Sequence, residues 1–164
     1  MRRIHLAFGM LAWLAGTDAA QAVTDEIQVY TGEIVAPGVL GLTLHNNYTP
    51  DGVKAPDHPG GLVDDQAYSS VAEWAYGVTD WFEAGLYLPL YSNTATQGWT
   101  YNGFKLRALF VQPDNGDKDF YYGVNFEFSW NQKQWDSQVN TGEIRPIVGW
   151  RFGPDRRWSI TFNP

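Results

Sequence analysis

Residues 120–130 read Phe-Tyr-Tyr-Gly-Val-Asn-Phe-Glu-Phe-Ser-Trp, and no other stretch constrains the fold as tightly. Phe120, Tyr122, Val124, Phe126, Phe128 and Trp130 are apolar or aromatic, whereas Tyr121, Gly123, Asn125, Glu127 and Ser129 are mostly small or polar. Successive side chains on a strand point to opposite faces, so this stretch makes one greasy face and one wet face. Such a strand is long for a soluble domain but suits a tilted crossing of a bilayer. The pattern predicts an all-β chain, an antiparallel transmembrane β-barrel of the outer-membrane type.

The alternation recurs along the chain. Leu40, Leu42 and Leu44 oppose Gly41, Thr43, His45 and Asn47; Ala72, Trp74, Tyr76 and Val78 oppose Ser69, Glu73, Ala75 and Gly77. Phe82, Ala84, Leu86, Leu88 and Leu90 alternate with Glu83, Gly85, Tyr87 and Pro89, where the proline removes a ladder donor. Phe104, Leu106, Ala108 and Phe110 alternate less cleanly with Lys105, Arg107, Leu109 and Val111. Ile144, Pro146, Val148, Trp150 and Phe152 oppose Glu143, Arg145, Ile147, Gly149 and Arg151, and Trp158, Ile160 and Phe162 open a last strand. Seven strands are expected, after a short extended segment over residues 23–37.

The connections over residues 49–66, 92–98 and 131–138 read as long loops, and those at 79–80, 113–119 and 153–156 as short turns. Outer-membrane barrels have long outer loops and short periplasmic turns. Tyr48, Tyr68, Tyr91, Trp99, Trp130 and Trp135 gather at the first set of strand ends, Trp81, Phe152 and Trp158 at the second. Two aromatic girdles would have this distribution. The competing reading is a soluble β-sandwich, whose strands also alternate.

The N-terminus carries an export signal over residues 1–22: basic Arg2 and Arg3, an apolar core from Ile4 to Ala15, and a small-residue cleavage pattern at Ala20-Gln21-Ala22. Sec-type export and cleavage near Ala22 would leave residues 23–164 as the barrel portion, in the cell outer membrane. Losing Arg2, Arg3 and Asp18 makes the remaining chain more acidic than the formal −7 of the whole sequence. An acidic chain without a basic tract argues against nucleic acid as a partner. With no cysteine, thiolate metal sites and cysteine nucleophiles are excluded. Aromatic residues make up 16% of the chain while mean hydropathy is negative, as expected where half of each strand is polar.

Charged residues within strands fall on the polar face: Glu73, Glu83, Lys105, Arg107, Glu127, Glu143, Arg145 and Arg151. A base on the lipid face near the midplane would cost about 2–4 kcal/mol. Simple hairpin pairing brings Glu83 level with Arg107, Lys105 near Glu127, Glu127 opposite Glu143, and Arg145 beside Asn125. Glu83, Lys105, Arg107, Glu127, Glu143 and Arg145 are therefore expected to form a lumenal charge network. Such a network either braces a filled barrel or lines the constriction of a pore.

Catalytic chemistry has little to stand on. Only His45 and His58 follow the predicted cleavage site, and no serine lies beside His45 in its strand. His58, in Asp57-His58-Pro59 near Asp64 and Asp65, reads as a solvated loop residue. The Asp114–Asp119 run lacks the terminal glutamate of a calcium loop. The sequence carries neither a nucleophile elbow nor a phosphate-binding loop. The expectation is a protein that is not an enzyme, with no metal site and no cofactor.

Glu26-Ile27-Gln28-Val29-Tyr30, Gly32-Glu33-Ile34, the run from Tyr76 to Glu83 with Gly85-Leu86-Tyr87-Leu88-Pro89, and Glu143-Ile144-Arg145-Pro146-Ile147 with Gly149-Trp150 carry a family likeness. Over most of the chain after the signal, they resemble uncharacterised proteobacterial outer-membrane β-barrel transporter proteins, near the MetA-pathway phenol-degradation family. The resemblance implies a signal-bearing barrel in contact with outer-membrane lipid that passes or binds small solutes, hydrophobic ones among them, and carries over no catalytic residue. Members are longer, and seven strands fall short of the even count of bacterial barrels, so a truncated member with an incomplete barrel is expected. A structural or adhesive barrel with a filled lumen and working loops, and a soluble periplasmic β-domain, are the alternatives.

Overall fold

The computed structural model describes residues 29–164; the predicted export signal lies outside them. Seven strands form one sheet in chain order: β1 (Leu40–Thr49), β2 (Ala67–Gly77), β3 (Phe82–Thr94), β4 (Gly98–Val111), β5 (Phe120–Asn131), β6 (Asn140–Phe152) and β7 (Trp158–Phe162). Every neighbouring pair is antiparallel, and the sheet curls into a half-barrel, an incomplete β-barrel.

The two faces differ as the alternation requires. On β5, Tyr121 and Asn125 are 0% and 1% exposed while Tyr122 and Phe128 are 53% and 42% exposed. The convex face of the sheet is apolar and the concave face largely polar. Aromatic side chains band the outer face near both ends of the strands. Tyr68, Tyr91 and Trp99 cluster at one end, with Phe104 stacked on Trp130 at 4.7 Å. Trp81, Phe82 and Phe110 cluster at the other, with Phe120 edge-on to Trp150 at 5.3 Å. Trp135 departs from the girdle expectation: it is buried with Leu62 and Leu90.

Two further differences share a cause. Pro89 cannot donate to the ladder, and the chain bulges there: Tyr87 pairs with Lys105, but Leu90 pairs with Gly103. The next pair, Tyr91 with Tyr101, skips Asn102 on the opposite strand and restores the register. Gly103 has φ +120, and a Cβ there would run into the Trp130 carbonyl. A one-residue slip flips the facing of everything beyond it. Leu90, expected among the outward leucines, is therefore inside at 5% exposure, and Asn102 is fully buried. Both strands also run on past the bulges, so the long loop expected over residues 92–98 is only the turn at 95–97. Conversely, the link from β4 to β5 holds a 3-10 turn, Asn115–Asp117.

Candidate functional site

The polar face is covered by the segment leading into β1. Residues 29–38 are no strand of the sheet, apart from an isolated bridge between Pro37 and Gly77. The segment crosses the concave face and is held mainly by side chains. Asn163 accepts from the Tyr30 backbone N–H (2.9 Å) and donates to the Tyr30 carbonyl (3.2 Å), serving both groups as a ladder partner would. Asn115 donates to the Gly32 carbonyl at 2.6 Å, and the Val35 N–H donates to Glu83 Oε2 at 2.6 Å. Beneath the segment, Tyr30 packs with Leu109, Val111, Tyr121 and Ile147, and Ile34 lies against the cluster. These apolar residues on the polar face explain why the alternation of β4 reads as weak.

Above this layer lies a belt of charge. Arg107 Nη2 reaches Glu83 Oε1 (2.5 Å) and Glu73 Oε1 (2.7 Å), all three side chains being buried. Glu73 Oε2 in turn meets His45 Nε2 at 2.8 Å, and His45 stacks on Tyr87 with ring centroids 6.1 Å apart. Lys105 Nζ is 3.8 Å from Glu127 Oε2, and Arg145 pairs with Glu143. The ladder sets Glu127 opposite both Arg107 and Glu143, and Asn125 opposite Arg145. Glu83, Lys105, Arg107, Glu127, Glu143 and Arg145 thus share one face, joined as three ion-pair groups. Glu83 is opposite Leu109 in the ladder rather than level with Arg107; the guanidinium reaches it diagonally.

Tyr30 sits among these groups. Its hydroxyl donates to Glu127 Oε1 and lies 3.4 Å from the Tyr87 hydroxyl. The Arg145 and Arg107 guanidiniums lie 5.1 Å and 5.8 Å from its ring centroid, within cation–π range. Burial, with the Glu127 carboxylate second, pushes the phenol well above its usual pKa, so Tyr30 is a neutral donor. Sequence reasoning missed Tyr30 as part of the belt, because its place depends on contacts nearly a hundred residues away. It also missed the His45–Glu73 extension, although both residues lie on the polar face.

One mouth of the half-barrel is capped by loops. Leu62 N–H donates to the Gln134 carbonyl (2.9 Å), Gln97 to the Gly61 carbonyl (3.2 Å), and Gln134 to the Tyr101 carbonyl (2.7 Å). His58 Nε2 meets the Lys133 carbonyl at 2.7 Å and Nδ1 meets Asp57 at 2.5 Å, so this histidine ties two loops rather than facing solvent freely. Those contacts, the Lys133 carbonyl first, raise its pKa above the ordinary histidine value. Asp64 is buried in the cap, and burial together with the Asp57 charge raises its carboxyl to about 6. Among the described residues no group of three or more histidine, cysteine or acidic side chains is arranged to hold a metal ion. The Asp114–Asp119 run is structural: Asn115 anchors Gly32, and Arg151 donates to the Asn115 (2.8 Å) and Lys118 (3.1 Å) carbonyls.

Arranged this way, the concave face can hold charge in place and offers a groove of ≈ 420 Å³ between residues 29–35 and the wall of β1–β4. No family model, no curated protein and no solved structure matches the chain.

Proposed function

We propose that the chain is an outer-membrane β-barrel protein that passes or binds small polar solutes through a lumen lined by the charge belt. The observation that carries this is the inverted sheet, with leucine, isoleucine, phenylalanine and tryptophan exposed on the outer face and ion pairs buried on the inner. Leu42, Leu106, Ile144, Trp150 and Ile160 are each about half exposed or more. Soluble monomers rarely leave so continuous an apolar surface in water. In lipid the same face is favourable, and the aromatic bands fall where the headgroups would lie. The charged wall favours polar solutes over the hydrophobic ones that the family likeness brings in. Proteoliposomes carrying the full protein are expected to swell in isosmotic solutions of small polar solutes. No swelling from correctly inserted protein would overturn passage.

A second reading is favoured by one observation, the covering of the concave face by residues 29–38 and of one mouth by the loops. A barrel filled in this way would serve as a rigid scaffold displaying residues 50–66. Deleting part of that loop would then abolish surface binding while leaving insertion and permeability unchanged.

A further inference from the structure

We infer that residues 29–38 form a strap across the lumen, and that the strap sets what can pass; this rests on the solute-passage reading above. The strap enters at Pro37 and Gly38, where the proline fixes its own φ and the glycine adopts φ +78, so the chain turns sharply into β1. Beyond that corner the hydrogen bonds that hold it come from side chains of the wall and of the β4–β5 turn: Asn163, Asn115, Glu83 and Glu127. Among the described residues no ladder locks it, and Tyr30, packed in the apolar cluster and bonded to Glu127, is its main anchor.

The strap divides the concave face unequally. Toward β5–β7, Tyr30 is seated against Glu127, its backbone is clamped by Asn163, and Arg145 lies over its ring. Toward β1–β4 there remains the ≈ 420 Å³ groove, space for about a dozen waters at roughly 30 Å³ each. Its charged lining is Glu33, Glu73, Glu83 and Arg107. Arg107 is shared between two carboxylates, and Glu33 is exposed on the strap itself, so the passage beside the strap is net acidic. Acidic linings favour cations over anions, and low-dielectric walls focus the effect. Tyr30 thus governs the width of the passage, and Glu33 adds charge at a position free of the buried belt.

The test is single-channel recording of the full-length protein in planar bilayers under a potassium chloride gradient. The wild type is expected to show small steps with a reversal potential on the cation-selective side. Tyr30→Ala, which removes the ring, and Asn163→Ala, which releases the backbone clamp without touching the charge belt, should both enlarge the step. Glu33→Lys, at an exposed position that leaves the fold intact, should weaken or reverse the cation preference. Steps of wild-type size in both alanine variants, or anion preference in the wild type, would overturn the strap as the selective element while leaving passage standing. Inserted protein that gives no steps in any variant would remove the passage reading itself.

Discussion

Tyr30 donates a hydrogen bond to Glu127 across 97 residues of chain, joining the segment before the first strand to the middle of the fifth. Glu127 is nearly inaccessible and also meets Lys105 and the Asn125 amide, which donates at 2.9 Å. Removing the phenolic oxygen withdraws one donor from a buried carboxylate. Tyr30→Phe is expected to lower stability by about 1.5–3 kcal/mol, the range for a hydrogen bond to a charged group. Urea unfolding followed by tryptophan fluorescence measures it, and Glu127→Gln should be non-additive with it in a double-mutant cycle.

Arg107 balances two buried carboxylates. Replacing it by methionine leaves Glu73 and Glu83 facing one another without their shared cation. The expected cost is about 3–5 kcal/mol, as for breaking a buried pair from one side. Adding Glu73→Gln and Glu83→Gln to Arg107→Met should recover most of the loss. If the triple variant folds no better than the single one, the belt is not an electrostatic unit.

Leu106 lies on the outer face, 46% exposed and near the middle of β4. Leu106→Arg in lipid should cost about 2–4 kcal/mol, the midplane penalty for a base. In a water-soluble sheet the same change at an exposed position would be worth little. Comparing folding into phosphatidylcholine vesicles for Leu106→Arg and wild type separates the two environments.

The Asp64 carboxyl, raised to about 6 in the folded cap, titrates above its unfolded value of 3.8. A raised carboxyl holds its proton more tightly in the native state, so it adds stability that is full below 3.8 and is lost as the pH rises through 6. Residues 50–66 should therefore resist proteolysis better at pH 5 than at pH 7.5. Asp64→Asn should flatten that difference, and an unchanged difference would assign the effect elsewhere.

Tyr121 sets a fifth dependency. It is fully buried, bonded through its hydroxyl to Thr161 and topped by Arg151, whose guanidinium carbon lies 4.2 Å from the ring centroid. A Cβ built on Gly149 would overlap the Tyr121 ring. Gly149→Ala should cost about 1–3 kcal/mol through overpacking, and Tyr121→Phe alone should not rescue it because the ring itself is in the way. Thermal melts of the two variants and their combination check this.

How far the sequence speaks depends on the range of the interaction. The seven strands follow from a period of two, and the pairing of Glu127 with Glu143 and of Asn125 with Arg145 follows from simple hairpins between adjacent strands. The inward facing of Leu90 was hidden because a bulge has no signature beyond one proline and one glycine on neighbouring strands. Tyr30 was hidden for another reason: nothing local tells a tyrosine in an extended leader that it will lie over the belt. Leu109, Val111 and Ile147 carried a trace of it, as apolar residues on a face that was otherwise polar.

The bulges at Pro89 and Asn102–Gly103 behave like two frameshifts of opposite sign placed side by side. Deleting Pro89 alone takes out the extra residue of β3, so Leu90 and Ser92 should stay inside and Tyr91 outside, with only the bulge of β4 remaining. Deleting Asn102 as well should leave an unbroken ladder with every remaining side chain on its present face. A residue-by-residue accessibility scan of β3 should accordingly change parity between Leu88 and Tyr91, while β5 keeps one parity throughout. Any comparison of sequences that aligns these strands without gaps at both places will score conserved facing as divergence.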